Sequence, residues 1–434
     1  MKVVLVVHKF LPRHVGGTEV YTYELAKELS KRHEVYIFCR EEGFSEKEFV
    51  EQDERHNGLK IRRVYYNLLG WKANPFHLFI STFKNSLIER SFGRLLDEIC
   101  PDVVHIQHVM DMSAGLITVA RQRGIPVVVT LHDYWFMCSN SQLVRPNQQI
   151  CDGPAWGFRC VDCAGARMGQ PLIKLLSPLV ACLFLYRALY LKRVVRNVDL
   201  FIAPSRFLRD KYIAYGFPKD KLVYLENGIN VSRITRYVKE RNPSPGKLRF
   251  AYIGAIAWQK GLHVLVEAFN MISPDAAELR IYGDPQVFPE YTKQIKDALV
   301  NPSVYFMGKI ENERVGEVLA ETDVLVVPSI WYENSPVVIQ EAFAAGVPVL
   351  ASNLGALAEK VRNGMDGLLF RSRDFNDLFA KIHFLVENPG FIKGLKRNIR
   401  PAKSIEENAQ ALERFYYQLK SQKAQGQKSH RDVH

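Results

Sequence analysis

The sequence lacks several features that would point to other classes of protein. No G-x-G-x-x-G motif occurs, which argues against a dinucleotide-dependent oxidoreductase. No nucleic-acid-binding module is recognisable, so the net charge of +12 favours an anionic small molecule or an acidic lipid surface as partner. The N-terminal apolar run Val3–Val7 is too short for a signal peptide, and only seven cysteines occur in 434 residues. We therefore expect a cytoplasmic protein without a disulfide framework.

The length and the order of predicted elements indicate two α/β domains. A chain of 434 residues is too long for one core, and 47% hydrophobic with 24% charged residues is ordinary globular composition. The order strand, glycine loop, helix, strand opens each half, which is typical of a Rossmann-like domain. We predict a first domain at 1–234 with a cysteine-rich insertion at about 138–170, a second at 247–405, and a C-terminal helix and polar tail at 406–434.

One stretch in the second half combines a buried strand with a helix start. The apolar run Val324–Val327 predicts a parallel strand. Ser335 is a suitable N-cap, and Pro336 has its φ preset for a first helical turn. The pattern predicts a helix that runs from Pro336 to about Ala345, with Gly346 as the residue that ends it.

The start of this helix is a candidate anion site. The amides of Val337 and Val338 have no intrahelical acceptor and can bind a phosphate. Glu333 lies just before the cap, and Glu341 follows about 7–8 Å further along the chain direction. Carboxylates accept hydroxyl hydrogen bonds well, so the arrangement suits a nucleotide-sugar. The alternative is a surface helix that happens to carry two glutamates.

Three further candidates lie where loops meet helices or strand ends. Gly16 and Gly17 open the first helix and permit close approach to a ligand. Lys260 stands at the mouth of a glycine loop, where a lysine can bind phosphate or can simply be solvated. His132 follows a strand, at the edge where ligands bind in parallel sheets, although a lone histidine there is often structural.

Four cysteines cluster in the insertion of the first domain. Cys160 and Cys163 have the C-x2-C spacing of a metal knuckle, and Cys138 and Cys151 precede them at less regular spacing. They predict either one structural zinc site or four buried, unpaired thiols, and we leave both interpretations open.

The most apolar window, Leu172–Leu191, predicts a helix at a membrane surface. Lys174, Pro178 and Arg187 interrupt it, so we do not expect it to span a bilayer. Basic residues follow closely, as in an interfacial helix on anionic lipid. The alternative is an ordinary core helix with a basic flank.

The stretch around Glu333 and Glu341 resembles the E-x7-E signature of retaining GT-B glycosyltransferases, in particular glycosyltransferase family 4. The resemblance extends to Gly17 and Glu19 in a G-G-x-E loop, to Lys260 in a K-G pair and to His132 in a His-Asp pair. It implies a GT-B fold, with two Rossmann-like domains facing an interdomain cleft. The second domain would bind the donor and the first the acceptor.

The resemblance also implies a role for each candidate residue. His132 would hold the donor sugar, Glu333 its hydroxyls, and Glu341 the ribose. Lys260, together with Ser335, Pro336 and the following amides, would bind the diphosphate, and the Gly16-Gly17 loop would close over it. The loop at Gly283 would enclose the base. The sequence departs from the family at Ala255, where an arginine is common.

These features predict a retaining hexosyltransferase that moves a sugar from a nucleotide-diphosphate sugar to a hydroxyl acceptor. No D-x-D triplet occurs, and we expect no cofactor in catalysis. The acceptor would be a saccharide, lipid-linked if the enzyme sits at the inner face of the membrane, in the synthesis of a cell-surface polysaccharide or glycolipid. The alternatives are a GT-B nucleotide-sugar epimerase and an inactive nucleotide-sugar-binding protein.

Overall fold

The chain folds into two compact α/β units. The computed structural model describes residues 1–43, 49–67, 75–169, 171–238 and 246–431. The first unit comprises Met1–Gly228 together with Ile405–His434, and the second comprises Ile229–Ser404. The prediction of two Rossmann-like α/β domains is confirmed.

The first unit is built on a sheet with the order β3-β4-β2-β1-β5-β6-β7-β8 in the described residues. Its pairs are parallel except for the edge pair β3 and β4. The strands are β1 (Lys2–Val7), β2 (Glu34–Glu41), β3 (Phe49–His56), β4 (Leu59–Tyr66), β5 (Val103–Ile106), β6 (Val127–Thr130), β7 (Leu200–Ala203) and β8 (Leu222–Tyr224).

Helices flank this sheet, and side-chain caps fix the start of two of them. The helices of this part of the chain are α1 (Gly17–Leu29), α2 (Pro75–Ser81), α3 (Ser86–Ile99), α4 (Gly115–Gln122), α5 (Phe158–Met168), α6 (Ser177–Val195) and α7 (Arg206–Ala214). The Asn85 side chain accepts hydrogen bonds from the Leu87 and Ile88 amides at the start of α3, and the Ser205 side chain accepts from the Leu208 amide at the start of α7.

The second unit has a fully parallel sheet with the order β11-β10-β9-β12-β13-β14. This is the 3-2-1-4-5-6 order of a doubly wound Rossmann fold. Its strands are β9 (Leu248–Ile253), β10 (Ala277–Tyr282), β11 (Val304–Gly308), β12 (Val324–Val327), β13 (Val349–Ser352) and β14 (Gly367–Phe370). Its helices are α8 (Val231–Val238), α9 (Leu262–Phe269), α10 (Pro289–Asp297), α11 (Val315–Ala320), α12 (Val337–Ala344), α13 (Ala356–Lys360), α14 (Phe375–Glu387) and α15 (Pro389–Arg397).

Strand order places the ligand-binding edge of each sheet. The direction of strand order reverses between β1 and β5 in the first unit and between β9 and β12 in the second. Open α/β sheets bind ligands beyond the carboxyl ends of the strands at such a point. The strands there are largely apolar and buried; Val3–Val7 has no exposed side chain. Polar residues that directly follow these strands are therefore the ones to consider as functional.

The C-terminal segment forms one long helix. The last helix, α16 (Ile405–Arg431), returns to the first unit and packs on α1. Tyr416 is fully buried in the core of that unit, and Asn408 accepts a 2.8 Å hydrogen bond from the Tyr21 hydroxyl. We had predicted a helix followed by a polar tail within 406–434, but the helix continues to Arg431, since one apolar face is enough to anchor it. Residues 432–434 lie outside the described residues.

Two other predictions about segments need revision. The interval between the two predicted domains, residues 235–246, is not all loop, because Arg236 is in α8; residues 239–245 lie outside the described residues. The apolar window forms a short 3-10 turn, Pro171–Leu176, and then α6. Among the described residues, no helix is both long and apolar enough to cross a membrane.

Candidate functional site

The loop between β12 and α12 forms the centre of the candidate site. Pro336, whose ψ is 105°, is the N-cap of α12, and its carbonyl accepts from the Ile339 amide at 3.2 Å. Ser335 is therefore not the N-cap, since the extended proline starts the helix one residue later than predicted. The Ser335 Oγ is buried without a hydrogen-bond partner among the described residues. Gly346, with φ +69°, follows the helix end as predicted.

Glu333 is a buried carboxylate that three side chains contact. Its Oε1 accepts hydrogen bonds from Lys260 Nζ at 2.7 Å, from Ser329 Oγ at 2.7 Å and from Trp331 Nε1 at 2.9 Å. Burial alone would raise the pKa of Glu333, but the Lys260 charge and these three donors outweigh it and lower the pKa. Glu333 is thus an ionised acceptor beside the start of α12.

A tight glycine turn brings Lys260 to this carboxylate. Gly261 has φ +71°, and a Cβ there would lie 2.0 Å from the Pro328 carbonyl oxygen. The Ile330 amide donates to the Gln259 carbonyl at 2.9 Å, which ties the two loops together. The Lys260 ammonium also lies 5.5 Å from the centre of the Trp331 ring. The predicted phosphate-binding lysine therefore stands beside the predicted sugar-binding glutamate.

Glu341, on the second turn of α12, has a different partner. Its carboxylate pairs with the guanidinium of Arg233 on α8, which also donates to the Asn312 carbonyl. Both side chains are buried. Burial raises the pKa of Glu341, and the Arg233 charge only partly offsets this. Arg233 is a site residue that the sequence did not reveal, because it lies 108 residues from its partner.

The remaining predicted donor contacts of the second unit are backbone groups. Val337 and Val338 occupy the first two positions of α12, whose amides have no intrahelical acceptor. Gly283 follows β10, and a Cβ there would lie 2.3 Å from the Gly254 carbonyl oxygen. Its amide donates to the Gly308 carbonyl at 2.9 Å, which leaves its own carbonyl as the group that could face a base.

In the first unit, the glycine loop carries a carboxylate of its own. Gly16 is the N-cap of α1, and a Cβ there would lie 2.5 Å from an oxygen of Glu19. Glu19 is buried and lies 3.4 Å from His8 Nε2. A Cβ at Gly17 would meet no atom within 4 Å. The open space is therefore at Gly17, while the Glu19 carboxylate lies close to the helix start.

His132 is held as a neutral imidazole. Its Nε2 lies 2.8 Å from Gln107 Oε1, and its ring contacts the Tyr21 ring. Burial lowers the pKa of His132 to about 3, with the nearby His108 adding to the effect. His132 can therefore donate or accept a hydrogen bond but carries no charge at neutral pH.

An ion pair next to His132 was not predicted. Asp133 Oδ2 lies 2.8 Å from His108 Nε2, at the ends of β6 and β5. Burial lowers the pKa of His108, but Asp133 reverses this and raises it; the pKa of Asp133 is lowered by the same pair against its own burial. Both residues directly follow buried strands, which is the one sequence signal that could have indicated them.

The four insertion cysteines line one cavity as free thiols. Burial raises the pKa of Cys160 to about 12 and that of Cys163 to about 11, with the neighbouring thiols adding to both. The structure thus brings Cys138, Cys151, Cys160 and Cys163 together. Nevertheless, no three His, Cys, Asp or Glu side chains within 1–43, 49–67, 75–169, 171–238 and 246–431 are arranged so that they could hold a metal ion. Structural zinc stays a prediction that requires the thiols to turn toward a common centre.

Two family models match almost the whole chain. The model for Glycosyltransferase Family 4 matches residues 15–233, and that for Glycosyl transferases group 1 matches residues 234–410.

Relatives in other organisms match at low identity. An uncharacterized 42.6 kDa protein in the cps region of Klebsiella pneumoniae is 23% identical over 373 residues, covering 83% of this chain and 88% of that protein. An uncharacterized glycosyltransferase of Methanocaldococcus jannaschii is 23% identical over 92% of this chain and 93% of its own. The amylovoran biosynthesis glycosyltransferase AmsK of Erwinia amylovora is 26% identical over 43% of this chain and 47% of its own.

Solved structures share the fold over nearly the full length. A glycosyltransferase from Rickettsia africae matches with a TM-score of 0.66 and 15% identity, covering 96% of this chain and 98% of that one. Anabaena HepE in complex with UDP and glucose matches with a TM-score of 0.64 and 16% identity, covering 96% and 99%. The predicted GT-B fold is confirmed.

Proposed function

Because the chain belongs to glycosyltransferase family 4, it is a sugar-transferring enzyme, and we propose that it uses a nucleotide-diphosphate sugar as donor and a hydroxyl group as acceptor. The observation that carries this proposal is the 2.7 Å contact between Lys260 and the buried, ionised Glu333 beside the start of α12. A cation and two free amides there suit a diphosphate, and a carboxylate next to them suits sugar hydroxyls.

In this proposal the site stabilises a leaving diphosphate. Lys260 and the amides of Val337 and Val338 would bind the negative charge that develops as the glycosidic bond to the diphosphate breaks. Glu333 would accept hydrogen bonds from the sugar, since its lowered pKa keeps it ionised. No cofactor is needed for these steps. Glu341 would bind the ribose through the carboxylate oxygen that Arg233 does not contact.

The first unit would supply the acceptor side and one sugar contact. His132 is neutral, so it would hydrogen-bond the sugar and not stabilise charge at the reaction centre. Gly16 and Gly17 would face the diphosphate, and Glu19 would have to be accommodated there. Transfer with retention is part of the proposal through the E-x7-E resemblance.

Named relatives support a donor class and a setting. HepE binds UDP and glucose in its solved structure, which supports a UDP-sugar as the first donor to test and a hexose as the transferred group. The Klebsiella relative comes from a cps region, and AmsK is named for amylovoran biosynthesis. These relatives support our proposal that the enzyme acts in the synthesis of a cell-surface polysaccharide or glycolipid; we propose that it does so in the cytoplasm or at the inner face of the membrane. An epimerase or an inactive binding protein is less well supported, because the matched families are defined by sugar transfer.

A donor screen followed by product analysis tests the proposal. We expect one nucleotide-sugar to raise the melting temperature of the full chain and, with an acceptor extract, to yield a glycosylated product detectable by mass spectrometry. Isomerised donor formed without acceptor would identify an epimerase. Binding without any turnover would indicate an inactive protein, and no binding across the screen would contradict the proposal.

A further inference from the structure

Helix α6 leaves a stripe of large apolar side chains in solvent. Leu179, Tyr186 and Leu189 are 69%, 43% and 58% exposed, and Cys182 between them is also exposed. Their spacing of three and four residues places them on one face of the helix. The opposite face, with Phe184 and others, is buried in the first unit. Apolar side chains that remain in solvent do not stabilise the folded unit, so such a stripe indicates a binding surface.

The stripe continues at the N-terminal end of the helix. Leu175 and Leu176 in the preceding 3-10 turn are 80% and 55% exposed. A Cβ at Gly157 would lie 2.3 Å from the Ala181 carbonyl, so the segment around Gly157 lies directly against α6. That segment exposes Trp156 and Phe158. We call these exposed residues together the α6 surface: Trp156, Phe158, Leu175, Leu176, Leu179, Cys182, Tyr186 and Leu189.

The charges around this surface are mostly of one sign. Helix α6 contains no Asp or Glu, and Lys192, Arg193 and Arg196 at its C-terminal end are exposed. Two acidic residues, Asp152 and Asp162, lie in the neighbouring segment; Asp152 pairs with Arg159 at 3.8 Å.

Arg187 does not belong to this basic group, although the sequence suggested it. It is buried, its guanidinium donates to the Trp135 carbonyl at 2.6 Å and lies 4.9 Å from the centre of the Trp135 ring. Arg187 therefore fixes α6 to the first unit, and the charge available to a partner is at the helix end.

We propose that the α6 surface docks on an anionic phospholipid bilayer. The apolar stripe would lie at the boundary of headgroups and acyl chains, and Lys192, Arg193 and Arg196 would contact the headgroups. A bilayer suits the surface better than a protein, because the surface combines exposed aromatic and leucine side chains with a basic end and offers few polar groups for directional bonds. One such interfacial helix gives reversible attachment.

The proposal that the α6 surface docks on a bilayer does not depend on which donor the enzyme uses. The further step, that the acceptor is lipid-linked and lies in the same membrane, rests on the proposed function. Nucleotide-sugar binding, measured by thermal shift on the same samples, tests the two proposals separately: vesicle binding without donor binding would contradict the proposed function but not the docking.

Flotation of the full chain with vesicles tests the docking. Vesicles of phosphatidylcholine alone and with phosphatidylglycerol are compared at low salt. We expect flotation with the anionic vesicles only, and an at least fivefold smaller floated fraction for Leu179→Glu/Leu189→Glu. The matched control Met271→Glu/Val300→Glu, which changes two exposed apolar residues of the second unit, should float like the parent chain.

Two outcomes would overturn the docking. The first is failure of the parent chain to float with either vesicle; a parent chain that dimerises in sedimentation, with the Leu179→Glu/Leu189→Glu variant monomeric, would then identify a second copy as the occupant. The second is equal flotation of the parent and this variant. Substitution of Lys192, Arg193 and Arg196 by alanine should remove the preference for anionic vesicles.

Discussion

Glu333 and Glu341 are both buried carboxylates, eight residues apart, yet their pKa values move in opposite directions. Glu333 has a lysine and two neutral donors on one oxygen, and its pKa falls below the ordinary value. Glu341 has a single arginine against complete burial, and its pKa rises. The two glutamates are therefore suited to different tasks: Glu333 is an acceptor whose ionised form three donors favour, and Glu341 is a carboxylate whose ionised form only Arg233 favours.

We predict that Glu333→Gln and Lys260→Ala each lower turnover at least tenfold while the chain stays folded. Loss of one charge-assisted hydrogen bond costs about 1.5–3 kcal/mol, which is roughly ten- to hundredfold in rate. Initial rates with the donor found by the screen provide the measurement. Lys293→Ala, which removes an exposed lysine of α10, is the control and should keep full activity. Rates equal to those of the parent chain in both variants would contradict the assignment of Glu333 and Lys260 to the donor site.

Arg233 is a positioning residue, and its loss should make donor binding depend on pH. In Arg233→Met nothing opposes the effect of burial on Glu341, so its pKa rises further and the carboxylate protonates at a higher pH than in the parent chain. We expect a higher KM for the donor, with the loss of affinity on acidification beginning at higher pH. Arg233→Lys should restore part of the affinity. A donor KM that follows the same pH profile in parent and Arg233→Met would contradict this role.

Among the site residues, the sequence predicts those that belong to short, contiguous sequence patterns. Glu333, Lys260 and the start of α12 could be found because each lies in a short pattern of loop and helix start. Ser335 was misassigned by one position, since proline fits both the N-cap and the first helical turn and only its ψ decides. Arg233 and Gln107 could not be found, because their partners Glu341 and His132 are distant in the sequence and lie next to them only in the folded structure.

At the scale of elements, apolar patterns predicted the buried strands and failed where an element is polar. Strand β3 has the sequence FVEQDERH, which shows no apolar alternation, and only its antiparallel pairing with β4 makes it a strand. The end of α16 was read as a tail for the same reason. Conversely, the apolar window forms the helix α6 and exposes several of its leucines, while the burial of Arg187 could not be read from the sequence.

The insertion of the first unit has a cavity lined by Cys138, Cys151, Cys160 and Cys163, which we predict to bind zinc. We expect protein purified without chelator to contain about one zinc per chain, lost in Cys160→Ser/Cys163→Ser, because metal binding would overcome the raised pKa values of these thiols. Cys39→Ser, at a cysteine outside the cluster, should keep the metal. Absence of stoichiometric metal, with all four thiols titrating freely in the native state, would show that the cavity holds thiols only.

Across the whole molecule, buried histidines make the first unit sensitive to acid. Burial lowers the pKa of His105 and of His132 to about 3, and that of His8 well below its ordinary value. Below about pH 6.5 these histidines are protonated in the unfolded chain but stay neutral in the folded chain. The free energy of unfolding therefore falls as the pH falls. His108 acts in the opposite sense, because its pKa is raised and its contribution is lost as the pH rises.

We therefore predict a lower melting temperature at pH 5 than at pH 7, and a shallower dependence in His105→Gln. Each such histidine can contribute up to about 1.4 kcal/mol per pH unit below its unfolded pKa. Differential scanning calorimetry across this range is the measurement. His383→Gln, which replaces an exposed histidine of α14, should reproduce the pH dependence of the parent chain. Equal slopes in parent and His105→Gln would contradict the assignment.

The path of the chain has a consequence for the order in which the molecule is made. The second unit is entered at Ile229 and left at Ser404, two residues joined by a parallel bridge, and the chain then returns to the first unit. Ile405, Ala409, Leu412 and Tyr416 belong to the core of that first unit. During synthesis the second unit can fold as soon as its own residues have emerged. The first unit cannot complete its core until α16 has been translated, after every residue of the second unit. The unit begun first is completed last, and until then its core lies open along the face that α16 will cover.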